Sequence, residues 1–289
     1  MNFPTLASAI TQATDHARTT GALLPLATEQ ISLTEGGIEF CVHWLSSLAL
    51  KDAAKLFNTV DKPANSNPFL PYEQDLYVAD LSPTHVALLN KFPLFEKHIL
   101  MVTRIFEEQL SMLTVADFDA VARTLARLDG LVFYNGGVTG GASQPHKHLQ
   151  WVPPGTFALE AILPDAGNYG RPKRLPNFDF RHAFVALDQK QGTNSAQAAT
   201  YMHDVFYRAC TECGIAAVEG KLPPYNLLTG RHWMLVVPRS REHWEEGAEK
   251  ISMNAMSFAG SILVRRTEQI ELVRKAGPMA LLKAVTYPA

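Results

Sequence analysis

Cysteine is scarce in this 289-residue sequence: Cys41, Cys210 and Cys213 are the whole supply. Three thiols cannot form a disulfide framework. Cys210-Thr-Glu-Cys213 is a single Cys-x-x-Cys inside an amphipathic stretch, too little for tetrahedral zinc. Long apolar runs are missing too. The longest, residues 40–50, is broken by His43, Trp44, Ser46 and Ser47, well short of the ~18–20 residues a membrane helix needs. The opening twenty residues have neither a cationic start nor a solid apolar stretch, so a secretory signal is not expected and a cytoplasmic, reducing setting is. Nor does either charge dominate: 26 Lys+Arg face 28 Asp+Glu, for a net charge of −2 and a pI near 6.6. That balance argues against a wholesale nucleic-acid binder. It leaves room for a nucleotide, whose phosphates need only a few local cations.

What is present is an ordinary globular core, 47% apolar, in a chain long enough for two domains or one large one. Helical spacing marks residues 3–18. It also marks a segment opened by a capping-box pair, Thr114 and Asp117, and closed by Gly130, and a third from about Ser195 to Cys213 with Gly214 as its stop. Strand-like runs cover 38–44, 75–79, 84–89, 98–103, 130–134, 146–152, 182–187, 225–228 and 233–237. They lack the strand–helix alternation of a parallel sheet, so an α+β fold is expected, an antiparallel sheet with helices on one side. The Pro/Asn-rich stretch 61–71 and the Pro/Gly-rich stretch 153–176 read as surface loops. The second divides the chain into 1–153, a connecting loop 154–180, and 181–289. A faint echo pairs 87–104 with 225–239, each reading as two strands that end on an arginine.

The informative segment is Asn135-Gly-Gly-Val-Thr-Gly-Gly-Ala-Ser-Gln-Pro-His-Lys-His-Leu-Gln150. Strand alternation puts His146, His148 and Gln150 on one face and Lys147, Leu149 and Trp151 on the other. The four glycines upstream allow backbone N–H groups to approach an anion. His-x-His alone is equally consistent with a turn-stabilising pair. It could also supply two metal ligands, but no nearby cysteine or carboxylate offers a third. The glycine run is no P-loop, because no Gly-Lys-Ser/Thr opens a helix.

Gly141–Gln150 resembles the active-site motif of the diadenosine tetraphosphate phosphorylases, or ATP adenylyltransferases. These belong to the histidine triad superfamily, on the branch with galactose-1-phosphate uridylyltransferase. The segments Asn67–Tyr72, Leu88–Phe92, His98–Arg104, Phe133–Gly137, Tyr225–Thr229 and Trp233–Ser240 agree in the same order, so the resemblance spans roughly 35–265. It implies two histidine-triad-like halves, the first alone keeping the histidines. It makes His148 the nucleophile, with His146 orienting it or touching phosphate, and Gln150 a hydrogen-bond donor where triad hydrolases carry a third histidine. Ser143, Gln144 and the N–H groups of Gly141 and Ala142 are expected to cradle phosphates. Lys51, Asn90, Lys91 and Asn135 are expected to hold phosphate or nucleoside, with Leu227, Leu228, Thr229, Met234 and Arg239 contributing from the second half. His98 reads as structural.

The implied reaction is diadenosine tetraphosphate plus phosphate giving ADP plus ATP through an adenylyl-histidine. The alternatives are a related nucleotidyltransferase with sulfate or a sugar phosphate as acceptor, or a non-catalytic sensor of the dinucleotide. The expected partners are small nucleotides, with no nucleic acid and no membrane, and the oligomeric state is open. No tightly bound cofactor is expected, with Mg²⁺ at most accompanying the polyphosphate and no protein-held metal.

Overall fold

In a computed structural model, the structure describes residues 5–45, 67–164, 167–188, 190 and 194–289. Lys51 and the first part of the 61–71 stretch lie outside them. Chain order is α1 (Leu6–Thr20), β1 (Thr28–Glu35), β2 (Ile38–Leu45), β3 (Tyr77–Asp80), β4 (His85–Leu89), β5 (Ile99–Thr103), α2 (Val115–Leu125), β6 (Leu131–Gly136) and β7 (His148–Val152). Then come β8 (Ala183–Ala186), α3 (Ser195–Glu212), β9 (Tyr225–Thr229), β10 (Trp233–Pro238), β11 (His243–Glu246), β12 (Glu249–Ser252), α4 (Ala255–Phe258), β13 (Ser261–Val264), α5 (Glu268–Ala276) and α6 (Pro278–Ala284). Among the described residues no helix is long and apolar enough to cross a membrane.

The expected α+β class holds. Eight strands form one antiparallel sheet in the order β3-β4-β5-β7-β6-β9-β10-β8, so both halves of the chain share a single sheet. Strand alternation sends Met101, Val132, Tyr134, Leu149, Trp151, Leu227 and Met234 to one face, where α1, α2 and α3 cover them with Ile10, Phe118, Val121, Val205 and Phe206. The other face is not bare, as a helices-on-one-side arrangement implies. From the end of β7 across β6, β9 and β10, Leu131, Phe133, Val152, Leu228 and Leu235 pack beneath β2, β13, α5 and α6. The 153–176 stretch joins this core through Leu159 and Leu175 instead of running wholly over the surface. Proline bars it from a ladder but not from burying side chains. Over β4, β5 and β7 the same face carries only a small cluster, Val86, Leu88, Leu100 and Val102 under Phe69. The site lies there.

The halves meet at β6–β9, where Asn135 stands opposite Asn226. A two-fold axis through that pair relates α2-β6-β7 to α3-β9-β10 and accounts for the symmetric order β5-β7-β6-β9-β10-β8. It sets Tyr134-Asn135 against Tyr225-Asn226. The two tyrosine rings lie 5.8 Å apart, and Asn226 donates to Asn135 Oδ1 at 2.9 Å. The repeated unit is thus a helix followed by two strands, and β6–β7, not the β4–β5 hairpin of the sequence echo, is the counterpart of β9–β10.

The predicted capping box at Thr114 and Asp117 is present, but the helix stops at Leu125, before Gly130. Gly130 serves a close approach instead: a Cβ there would sit 2.3 Å from the Val152 carbonyl oxygen. Asp117 does more than cap. Nearly wholly buried, it accepts from Thr114 N at 2.6 Å, His85 Nε2 at 3.1 Å and Lys147 Nζ at 3.2 Å. Burial opposes its charge, yet the bond from His85 and the Lys147 cation outweigh this and hold the carboxyl below its ordinary pKa. Lys147 is fully buried between the two motif histidines and also reaches Glu107 at 2.7 Å and the Met112 carbonyl at 2.9 Å. Removing one member leaves a buried charge short of partners, so Asp117→Ala is expected to lower stability by about 3–5 kcal/mol in urea unfolding. Lys283→Ala, at an exposed pair with Asp179, is expected to change it by under about 0.5 kcal/mol.

Candidate active site

β7 hydrogen-bonds to β5 on one side and β6 on the other, so His148 and Gln150 project from mid-sheet onto the thinly covered face. They line a cavity of about 460 Å³ with Pro68, Phe69, Tyr72, Glu73, Leu76, Leu88, Leu89, Asn90, Lys91, Phe92, Leu100, Ser143 and Gln144. Its lining mixes apolar side chains with polar ones. That suits a flat nucleoside with a charged tail.

His148 is buried, and its Nδ1 lies 2.8 Å from the His146 carbonyl oxygen. A carbonyl can only accept, so Nδ1 carries the proton and Nε2 keeps its lone pair. Burial pushes the His148 pKa down to about 4, against a smaller opposing effect of that carbonyl. At neutral pH it is a neutral imidazole with one free nucleophilic nitrogen.

Two asparagine–histidine pairs surround it, built alike. In the first, the Phe69 N–H donates to Asn67 Oδ1 at 2.9 Å, which turns Asn67 Nδ2 toward His146 Nδ1, also at 2.9 Å. His146 Nε2 therefore bears the proton and donates to the Thr103 carbonyl at 2.9 Å. Both nitrogens of this fully buried ring are engaged, so His146 serves the site through its main-chain carbonyl and does not present its ring to a phosphate. In the second, the Phe92 N–H donates to Asn90 Oδ1 at 3.1 Å, and Asn90 Nδ2 donates to His98 Nδ1 at 3.2 Å. His98 Nε2–H then donates to Gln150 Oε1 at 2.9 Å. Burial drives the His98 pKa down to about 4 as well. With its oxygen occupied, Gln150 is left with its NH₂ as the end that can donate into the cavity. His98, read from sequence as structural, fixes that orientation.

The expected site residues divide. His148, Gln150, Asn90, Lys91, Ser143 and Gln144 gather round one cavity. Lys91 there is paired with Glu73, its Nζ 2.7 and 2.8 Å from the two carboxylate oxygens. The N–H groups of Gly141 and Ala142 do not cradle an anion: they donate to Val138 O at 2.8 Å and Gly137 O at 3.0 Å within their own turn. Gly141, with φ +91°, is required because a Cβ there would lie 2.6 Å from Asn254 Cβ. Leu227 and Met234 point to the helix-covered core, Leu228 to the opposite core, and buried Thr229 donates to the Trp233 carbonyl at 2.8 Å. None of the four lines the cavity, because they sit on the strands across the axis from β7. Asn135 Oδ1 accepts from Asn226 and from the Ala255 N–H, each at 2.9 Å. Arg239 is nearly wholly buried. It donates to Asn226 Oδ1 at 2.6 Å and to the carbonyls of Arg241 and Met253, each at 2.9 Å, while burial lowers its pKa to about 9. Asn135 and Arg239 thus tie the glycine loop to the second half and are not cavity groups.

Sequence reasoning missed Gln109 and Glu73, and took Asn67, Phe69 and Tyr72 only as parts of a matching segment. The repeated Asn-x-Phe at 67–69 and 90–92 was the available signal, since each asparagine turns back on the N–H two residues on. Gln109 carries no local pattern. Among the described residues no cluster of three or more His, Cys, Asp or Glu is arranged to hold a metal.

Comparison with known proteins agrees with this geometry. Residues 1–164 match the Ap4A phosphorylase N-terminal domain, and residues 176–288 match the ATP adenylyltransferase C-terminal domain. The chain is 31% identical over 264 residues to diadenosine 5',5'''-P1,P4-tetraphosphate phosphorylase 2 of Saccharomyces cerevisiae, covering 81% of this chain and 78% of that one. The crystal structure of yeast Ap4A phosphorylase Apa2 superposes with a TM-score of 0.79 at 25% identity, over 100% of this chain and 96% of that one. The same enzyme in complex with AMP superposes with a TM-score of 0.78 at 26% identity, over 100% of this chain and 98% of that one. The open nucleotide-sized face, the neutral His148 and these matches converge: the chain belongs to the Ap4A phosphorylase family of ATP adenylyltransferases and has its histidine-triad-like fold.

Proposed function

We infer that this chain is an Ap4A phosphorylase, which converts diadenosine tetraphosphate and phosphate to ADP and ATP. The observation that carries this reading is His148, buried and neutral, with Nδ1 held by the His146 carbonyl and Nε2 unprotonated beside a nucleoside-sized cavity. The Nε2 lone pair attacks the α-phosphorus as the bond to the bridging oxygen of ATP breaks, leaving AMP on the imidazole. The positive charge that grows on the ring rests on Nδ1–H, against the dipole of the His146 carbonyl. An oxygen of inorganic phosphate then attacks the same phosphorus, the P–N bond breaks, and ADP leaves with the imidazole restored. The Gln150 NH₂, turned by His98, is placed to donate to a non-bridging oxygen in both steps. A carboxamide cannot move a proton at neutral pH, which favours phosphate over water as the acceptor.

The relative crystallised with AMP supports a nucleotide in this cavity. Ser143 and Gln144 are proposed to meet the phosphates, and Asn90 and Lys91 the nucleoside end. Lys91 is already neutralised by Glu73, so Lys51 and a Mg²⁺ ion travelling with the polyphosphate are proposed to balance the remaining charge. A cytoplasmic location is part of the proposal, supported by three free cysteines.

Incubation with diadenosine tetraphosphate and no phosphate is expected to trap an acid-labile, base-stable adenylate on the wild-type chain. His148→Ala should bind nucleotide and form none; near-normal turnover in that variant contradicts the mechanism. With the His148 pKa about 4, the single-turnover rate should be flat from pH 6 to 8 and fall only as pH approaches 4. A half-maximal rate near pH 6.5 would mean that the ring is not buried and neutral as described. Gln150→His restores a titratable group on the same face, so its ratio of AMP to ADP at fixed phosphate should rise. An unchanged ratio with binding intact assigns water exclusion to the shape of the cavity.

A further inference from the structure

The two-fold axis supplies an internal comparison. In the second half, Asn226 of β9 pairs directly with Val237 of β10. The corresponding pair in the first half is Asn135 and His148, yet the β6–β7 ladder stops two pairs earlier, at Phe133 and Gln150. The gap is filled by Gln109, which is buried. Its Oε1 accepts the His148 N–H at 2.9 Å, and its Nε2 donates to the Asn135 carbonyl at 2.9 Å and the His148 carbonyl at 3.2 Å. One side-chain amide thus takes three of the four main-chain polar groups that a closed pair would share, standing between the strands like an inserted peptide unit. Its own main chain is held as well. The Gln109 N–H donates to Pro145 O at 2.8 Å, and the Tyr134 hydroxyl donates to the Gln109 carbonyl.

We propose that Gln109 is a positioning residue for the nucleophile: its amide wedges β6 from β7 at the one ladder position that carries His148 and fixes the main chain from which the reactive ring projects. The wedge is absent where the equivalent position carries inert Val237, so it is not a general need of this sheet. Through it, the amide sets the approach line of Nε2 without touching substrate. Such placement matters to rate more than to binding, since misplacing a reacting atom by about 1 Å can cost about 10²-fold. The cavity residues that bind nucleotide stand on other contacts.

This inference rests on His148 being the nucleophile, and its test separates the two. The measurements are the single-turnover rate of adenylate transfer to the protein and the Kd for diadenosine tetraphosphate, both per folded molecule. Gln109→Met removes all three bonds, and Gln109→Glu keeps the shape and the acceptor but loses both donors. At pH 8 each variant is expected to transfer about 10²-fold more slowly with a Kd within about threefold of wild type. Gln109→Glu is then expected to regain rate as pH falls from 8 to 6, because a buried carboxyl facing two carbonyls has a raised pKa and, once protonated, donates to one of them. The wild-type rate is expected to be flat in that window. A wild-type rate in Gln109→Glu at pH 8, a rate loss matched by an equal loss of binding, or no recovery on acidification would overturn the proposal. A wild-type chain that forms no adenylate would overturn the nucleophile itself, a result visible before any variant is made.

Discussion

Everything at this site hangs on one hydrogen bond, from His148 Nδ1 to the carbonyl of the residue two places before it. Both ends lie in one short piece of chain, so the bond is cheap to form but says nothing by itself about where Nε2 points. Direction comes from outside the strand. The His146 ring is locked at both nitrogens by Asn67 and Thr103. Lys147 is tied to Asp117 and Glu107 beneath the helix layer, and the His148 main chain is held by Gln109. Three consecutive residues are thus anchored in three directions, and the ring they leave free is the one proposed to react. Burial then makes the bond decisive, because a neutral ring with one proton has one tautomer to choose and the carbonyl chooses it.

The division of labour between the halves follows from how the sheet is covered. Helices cover one face along both halves. On the other, the second half is capped by β2, β13 and the C-terminal helices, and its strands meet that layer with Leu228, Leu235 and Val237. Over β4 and β5, beside His148 and Gln150, there is only the thin layer under Phe69, and polar side chains can face a cavity there without being stranded in a core. Symmetry of the backbone therefore coexists with asymmetry of chemistry. The same ladder position holds the proposed nucleophile where the face is open and a valine where it is covered. Arg239 and Asn226 complete the join, spending a buried cation on carbonyl oxygens of the second half and on the asparagine at the axis.

Much of this was legible in the sequence where the physics is local. Strand alternation placed His148 and Gln150 on one face, and the capping box at Thr114 fixed where α2 begins. β1 was not legible because its half-exposed residues alternate weakly, and the elements beyond Pro238 are short. In the site, failure tracks distance along the chain. Asn67 and Gln109 reach their histidines across 79 and 39 residues, separations at which no spacing rule operates. The glycine-loop amides failed for a different reason. Flexibility of a glycine run shows that N–H groups could face an anion, but only the turn itself shows that Gly141 and Ala142 donate inward. Leu227, Leu228, Thr229 and Met234 matched two segments that the fold uses as core.

The chain of amides running from Phe92 through Asn90 and His98 to Gln150 bears on why a glutamine stands where a third histidine could. Each bond fixes the next donor or acceptor, beginning from a main-chain N–H that cannot be reversed, so the Gln150 NH₂ is committed before substrate arrives. A histidine in its place would face His98 Nε2–H with a ring nitrogen, and its other nitrogen would carry the proton into the cavity. Such a ring also donates to phosphate, but it can give that proton away and take one from water. Glutamine keeps the donor and lacks the exchange. The neighbouring His98 does not restore it, since its proton is directed at the Gln150 oxygen and its burial disfavours a second one. Phosphate, which brings its own negative oxygen, needs no base to attack the adenylate, whereas water does. In the proposed reaction the side chain at position 150 thus discriminates between acceptors by what it cannot do, and the relay behind it keeps that incapacity in place.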